Sequence, residues 1–119
     1  MNEKPVKVLT IFDDPGLRKS FTTGLKNIEV VHRDARSIAE AIEELQGGNF
    51  RGLIMNGING RWRQLLSEAA RAETSPVLIA SSRIIAMEAA SFLPVFHTSE
   101  VTSGRDRTLR PVYQAAQII

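Results

Sequence analysis

The chain alternates short apolar runs with amphipathic segments, and this alternation restricts the fold more than any other feature of the sequence. The apolar runs lack the alternation of polar residues typical of a half-exposed strand, which indicates strands buried on both faces. Between them, apolar residues recur at the three- and four-residue spacing of a helix. The strands predicted from these runs are Val6–Phe12, Ile28–His32, Phe50–Met55, Pro76–Ala80 and Leu93–His97.

The intervening segments carry signals for the start and the end of helices. Asp14 precedes Pro15, which suits an N-cap followed by a proline at the first helical position. Ser37 and Glu40 have the spacing of a capping box, and a glycine pair follows that helix. The predicted helices are Leu17–Leu25, Ser37–Leu45, Trp62–Ala72, Ile84–Phe92 and Leu109–Ile119.

Five strand–helix repeats predict an α/β fold with a doubly wound, five-stranded parallel sheet, because buried parallel strands need helices on both faces. The result is a three-layer sandwich. A length of 119 residues suits a single domain spanning residues 1–119. In such a sheet the functional crevice lies at the carboxyl ends of the strands, so we expect the functional residues in the loops that follow them.

Composition narrows the classes of function. The net charge is +2 and no run of five or more like charges occurs, so we expect no direct binding to nucleic acid. The sequence has no cysteine, which excludes disulfides and cysteine-ligated metals. No apolar stretch is long enough to span a bilayer or to form a signal segment. We therefore expect a cytoplasmic protein that does not enter a membrane.

Three blocks of the sequence resemble the receiver domain of bacterial response regulators. Residues 8–25 resemble its first strand and helix, residues 50–60 its third strand and phosphorylation loop, and residues 75–83 its fourth strand. Residues 84–100 match it poorly. The resemblance implies a flavodoxin-like, receiver-like fold. It also implies a pocket built from two acidic residues, a phospho-accepting aspartate, a hydroxyl residue and a lysine.

This sequence keeps only part of that pocket. A neutral amide, Asn56, stands where the resemblance implies the phospho-accepting aspartate, and an amide is a poor nucleophile. No lysine follows Lys26 anywhere in the chain. The resemblance therefore implies a degenerate pseudo-receiver that has lost ordinary phosphotransfer. The residues that correspond to the pocket are Asp13, Asp14, Asn56, Ser81 and Thr98.

Neither a metal nor a catalytic site is expected from the remaining candidates. Asp13 and Asp14 are weak candidates to attract Mg²⁺, but an acidic turn that caps the next helix explains them better. His32 and His97 end different predicted strands and have no acidic or serine partner close in sequence, so they do not indicate a metal site or a triad. We predict no cofactor and no enzymatic activity.

The C-terminal third is rich in apolar residues, some of which must belong to the core. Those that are exposed would form a docking patch. We predict a phosphorylation-independent module that binds a protein partner or a second copy through its fourth helix, fifth strand and fifth helix. The alternatives are a switch that senses a small ligand or cation in the residual acidic pocket, and the regulatory domain of a transcription factor whose output domain follows Ile119. The candidate partner-binding residues are Ile84, Met87, Phe96, Tyr113 and Ile118.

Overall fold

The computed structural model of the protein describes residues 6–25, 30–48, 50–57, 61–80 and 82–98. Within these ranges strands and helices follow one another in strict alternation along the chain. No helix in this part of the chain is long and apolar enough to cross a membrane.

Five parallel strands of the described chain form one sheet, which confirms the predicted fold class. The sheet has the order β2-β1-β3-β4-β5, so the chain changes its direction of winding between β1 and β3. The carboxyl ends of β1 and β3 therefore flank the crevice in which such sheets bind ligands. The strands are β1 (Val6–Phe12), β2 (Val30–Ala35), β3 (Gly52–Asn56), β4 (Ser75–Ala80) and β5 (Val95–His97).

Helices cover both faces of the sheet and complete the three layers. They are α1 (Pro15–Leu25), α2 (Ile38–Gly47), α3 (Trp62–Arg71) and α4 (Arg83–Ala89). Helix α1 covers one face, where Leu17 and Phe21 belong to one buried apolar cluster. Helices α2, α3 and α4 cover the other face, where Leu45, Leu65 and Ala89 belong to a second cluster. The core thus lies on both sides of the sheet, as expected for strands in which polar and apolar residues do not alternate.

Side-chain caps fix where the first two helices begin, and both were predicted. Asp14 Oδ1 accepts hydrogen bonds from the backbone N–H groups of Gly16 at 2.8 Å and Leu17 at 3.2 Å. Ser37 Oγ accepts from the N–H of Glu40 at 3.1 Å. Each cap satisfies donors that the helix itself leaves without partners.

Two predicted boundaries were wrong by three residues, and several others differ from the structure by one or two. The prediction ends the second strand at His32, whereas β2 continues to Ala35 through polar residues at the outer edge of the sheet. The prediction extends the fourth helix to Phe92, whereas α4 ends at Ala89. The predicted terminal helix, Leu109–Ile119, lies outside the described residues.

Candidate functional site

The carboxyl ends of β1 and β3 bring three of the predicted pocket residues together. Asp13 and Asp14 directly follow β1, and Asn56 is the last residue of β3. The backbone N–H of Asp13 donates to the carbonyl oxygen of Asn56 across 3.3 Å. The N–H of Asp14 donates to the side-chain oxygen of Asn56, also across 3.3 Å. The acidic turn and Asn56 therefore form one connected unit at the crevice.

The side chain of Asn56 is buried, with 5% of its surface exposed, and both ends of its amide are engaged. While Oδ1 accepts from Asp14, Nδ2 donates to the carbonyl oxygen of Ile79 in β4 across 3.1 Å. An ionised aspartate has no donor, so its carboxylate would face the Ile79 carbonyl without a proton between them. The amide therefore joins the ends of three strands, and its bond to Ile79 is one that an ionised carboxylate cannot make.

The oxygens of the acidic turn fit Mg²⁺ poorly. Asp14 Oδ1 already accepts the two capping bonds of α1. The Asp13 carboxylate lies against Gly57, where an added Cβ would stand 2.6 Å from Asp13 Oδ2. Mg²⁺ demands near-octahedral coordination by hard oxygen ligands. Within the described ranges no group of three or more His, Cys, Asp or Glu side chains is placed to hold a metal ion.

Of the two hydroxyl residues of the predicted pocket, the structure describes Thr98 alone. Thr98 directly follows β5, and β4 separates β5 from β3, so Thr98 lies two strands away along the same edge. Ser81 lies outside the described residues. The neighbouring Ser82 caps α4, because its Oγ accepts from the N–H of Ile85 at 3.4 Å.

Helix α4 presents two large apolar side chains to solvent. Ile84 and Met87, three residues apart and on one side of the helix, are 79% and 76% exposed. Past the end of α4, Phe92 is also largely exposed, and its ring centroid lies 6.1 Å from that of the buried Trp62. We call Ile84 and Met87 the α4 patch. Both belong to the predicted partner-binding set.

The other predicted partner-binding residues differ from the α4 patch. Phe96 in β5 is half-buried and packs against the apolar cluster beneath α1. Its side chain therefore belongs in large part to the interior rather than to a docking surface. Tyr113 and Ile118 lie outside the described residues.

A polar network that was not predicted lies between β1 and β2, on the face covered by α1. Thr10 Oγ1 is 2.7 Å from His32 Nε2 and 2.9 Å from Asp34 Oδ1. Asp34 also pairs through Oδ2 with the guanidinium of Arg18 on α1. A hydroxyl has one proton and an ionised carboxylate only accepts, so Thr10 donates to Asp34 and accepts from the Nε2–H of His32.

The direction of these bonds distinguishes the network from a catalytic triad. Activation of a hydroxyl requires a base that takes its proton, whereas His32 gives a proton to Thr10. Thr10 is fully buried and cannot meet a substrate. Burial lowers the pKa of His32 below its ordinary value of 6.5, the Asp34 carboxylate opposes this, and the Arg18 charge adds to it. The network supports the outer part of the sheet.

The spacing of His32 and Asp34 is the signal that could have predicted this network. Residues two apart in a strand share a face, and the observed register places Asp34 beside Thr10. The sequence prediction ended the strand at His32, which left Asp34 in a loop. Because the predicted strand stopped at His32, Asp34 was not expected to share a strand face with His32, and the network was not predicted.

No protein-family model matches the chain, and no curated protein does. Several solved structures share its fold. A response regulator receiver protein from Sinorhizobium medicae WSM419 has a TM-score of 0.75 and 20% identity, covering 97% of each chain. A de novo designed Rossmann 2x3 fold protein has a TM-score of 0.71 and 13% identity, covering 87% of this chain and 89% of the design. A fusion protein carrying a trimeric coiled coil of yeast Spc42 has a TM-score of 0.76 and 16% identity, covering 99% of this chain and 83% of the fusion protein.

At these identities the similarity concerns the fold alone. The receiver protein has the parallel five-stranded architecture that the sequence blocks led us to expect. The designed protein has a similar architecture without being a receiver, so the architecture does not assign a function. Function has to be argued from the residues at the carboxyl edge of the sheet and on α4.

Proposed function

We propose that this chain is a receiver-like signalling domain that acts in the cytoplasm by binding a protein partner or a second copy, without phosphorylation and without catalysis. In this proposal it belongs to a longer regulator, in which it controls or positions an output domain. The observation that carries the proposal is the amide of Asn56, which is hydrogen-bonded at both ends where a receiver needs a reactive carboxylate.

The chemistry at the crevice supports the absence of phosphotransfer. Formation of an acyl phosphate requires an ionised carboxylate as the nucleophile, and Asn56 offers a neutral amide. The carboxylates of Asp13 and Asp14 do not replace it, since Asp14 caps α1 and Asp13 lies against Gly57. No lysine is present after Lys26 to neutralise an incoming phosphoryl group, and arginine does not substitute for a buried lysine point charge.

The exposure of the α4 patch supports a docking role. Two long apolar side chains on a seven-residue helix remain largely in water, although Ile85, Ala86 and Ala89 of that helix pack against the core. Covering both in an interface would contribute a few kcal/mol, at ~1.5–3 kcal/mol for each side chain. This is enough to form the centre of a small interface if a polar rim surrounds it.

Phosphorylation is tested by incubation with acetyl phosphate and Mg²⁺, followed by intact-mass measurement. We expect the mass of the unmodified chain under all conditions. A Mg²⁺-dependent gain of one phosphate on an acidic side chain at the crevice would contradict the proposal, whatever the result of the binding experiments.

Docking is tested with the double variant Ile84→Ser/Met87→Ser in sedimentation velocity and in pull-downs from cell extract. We expect the double variant to weaken self-association or partner capture by at least about tenfold, given the apolar area removed. Val31→Ser is the matched control, because Val31 is an apolar residue 42% exposed on β2, away from α4. Equal association of the double variant and the control would contradict a role for the α4 patch.

A small-ligand or cation switch at the acidic turn remains the second candidate, because the side chains of Asp13 and Asp14 are exposed at the crevice. Thermal shift with Mg²⁺ and Ca²⁺ separates the two proposals. The docking proposal expects no stabilisation by either ion and no effect of either ion on association. Saturable stabilisation that is lost in Asp13→Asn would favour the switch.

A further inference from the structure

A cavity of about 460 Å³ opens at the carboxyl edge of the sheet, next to the acidic turn. Its walls are the end of β1, the start of α2 and the residue that precedes α3. Volumes of this order are typical of sites for small molecules. Ile11, Phe12 and Ile38 supply apolar wall, while the other four lining residues are polar or charged.

Two arginines from different elements line this cavity. Arg36 lies between β2 and α2, and Arg61 immediately precedes α3. Neither guanidinium forms an ion pair with a described residue, and both residues are exposed. Elsewhere in the described chain, carboxylates form ion pairs with Arg18, Arg33, Arg63 and Arg71. The cavity thus has two positive charges that no carboxylate of the described residues neutralises by an ion pair.

Further donors stand beside the arginines. Ser37 Oγ is occupied as an acceptor by the N–H of Glu40, so its hydroxyl proton remains available to donate. The first N–H groups of α2, at Ile38 and Ala39, precede the hydrogen-bonded part of the helix and have no partner within it. Arginine pairs, hydroxyls and backbone N–H groups at a helix start are the donors that bind phosphate oxygens.

One carboxylate, Asp13, also lines the cavity. Two guanidinium groups still exceed this single charge, so the wall carries a net positive charge. This carboxylate is suited to accept hydrogen bonds from the hydroxyl or amino groups of a ligand. An anion without hydrogen-bond donors could not donate to this carboxylate, whereas a phosphate ester whose organic part carries hydroxyl or amino groups could.

We propose that this cavity binds a phosphomonoester of about nucleotide or sugar-phosphate size. Arg36, Arg61 and the start of α2 hold the phosphate, and Asp13 accepts a hydrogen bond from the organic part. The site shares Asp13 with the unit around Asn56 but does not include Asn56 itself, and no residue of the α4 patch lines it. Ligand binding here does not depend on the proposed docking function. An experiment that disproves docking would leave this proposal unaffected.

The test is titration of the ¹⁵N-labelled protein with adenosine 5′-monophosphate, glucose 6-phosphate and inorganic phosphate, followed by amide chemical shifts and calorimetry. We expect saturable binding of at least one ester, with the largest shifts at the amides of Ile38 and Ala39. Arg36→Gln and Arg61→Gln should each weaken it by about tenfold, the value of one lost charge-assisted hydrogen bond.

Arg71→Gln is the matched control, since it removes the same charge from the far end of α3. It should bind like the unaltered protein, and unchanged melting temperatures should show that all variants are folded. Three results would overturn the proposal: binding of neither ester at millimolar concentration, equal affinity in all three variants, or binding of inorganic phosphate alone.

Discussion

The side-chain nitrogen of Asn56 donates a hydrogen bond to the backbone carbonyl of Ile79 across 3.1 Å, linking the ends of β3 and β4. The other end of the same amide accepts from the N–H of Asp14. The side chain of Asn56 therefore ties neighbouring strands together. Replacing it with the residue that the chemistry of phosphotransfer needs should damage the fold.

Asn56→Asp is expected to lower the free energy of unfolding by about 1–3 kcal/mol at neutral pH, because it removes a buried donor and places a charge opposite a carbonyl oxygen. The loss should shrink at low pH, where a protonated carboxyl can donate to Ile79. Urea unfolding at pH 7 and pH 4.5 measures both values. Gln64→Glu, the same chemical change at an exposed position, is the control and should have little effect.

Gly57→Ala is expected to destabilise the protein by about 1–3 kcal/mol, the usual cost of a strained backbone. Gly57 has a φ of +73°, and an added Cβ would stand 2.6 Å from Asp13 Oδ2. Gly47→Ala is the control, since no atom lies within 4 Å of its added Cβ at the end of α2. It should stabilise slightly or have no effect. Equal thermal midpoints for the two variants would refute the role of Gly57.

His32 should make stability depend on pH. Burial holds its pKa below 6.5 in the folded state, against the opposing Asp34 charge and with help from Arg18. The unfolded chain therefore binds more protons in the window just below pH 6.5, and the free energy of unfolding should fall as the pH falls through it. His32→Gln should flatten this dependence in urea titrations between pH 7.5 and 5, whereas His97→Gln should retain it.

Arg63 connects α3 to α4. Its guanidinium lies 4.7 Å from the ring centroid of Trp62 and 5.5 Å from that of Phe92, and it pairs with Glu88 at 2.5 Å. Arg63→Ala should cost about 0.5–1 kcal/mol, since the groups are partly exposed. The change should be seen in urea unfolding followed by fluorescence of the single tryptophan.

Arg71→Ala is the control for this prediction. Among the described residues Arg71 pairs only with Glu68, at 3.7 Å, and its side chain is 78% exposed, so its removal should leave stability unchanged. A loss in Arg71→Ala as large as that in Arg63→Ala would show that the aromatic contacts of Arg63 contribute nothing measurable.

Local chemistry explains which features could be predicted from the sequence. The strand from Val6 to Phe12 has the predicted bounds because most of its residues are apolar and an acidic turn follows it directly. The caps at Asp14 and Ser37 were predictable because a cap depends only on neighbours three residues away. The position of Asn56 followed from the rule that crevice residues follow the strands.

Features that depend on packing between distant segments could not be predicted. The partners of the Asn56 amide include Ile79, whose carbonyl is identified only by the strand register. Arg36 and Arg61 reach the same cavity because α2 and α3 lie side by side on one face. The partial burial of Phe96 depends on an apolar cluster to which several strands and α1 contribute, and sequence spacing does not reveal it.

Strand β2 forms one outer margin of the sheet, where unpaired backbone groups can recruit a strand from another molecule. Here Arg33 is paired with Glu44 of α2 at 3.0 Å, and Asp34 with Arg18 of α1. A strand added at this margin would lie against charged side chains and disturb both pairs. Fibril-like growth from this side is therefore disfavoured, and concentrated solutions of the protein should resist it.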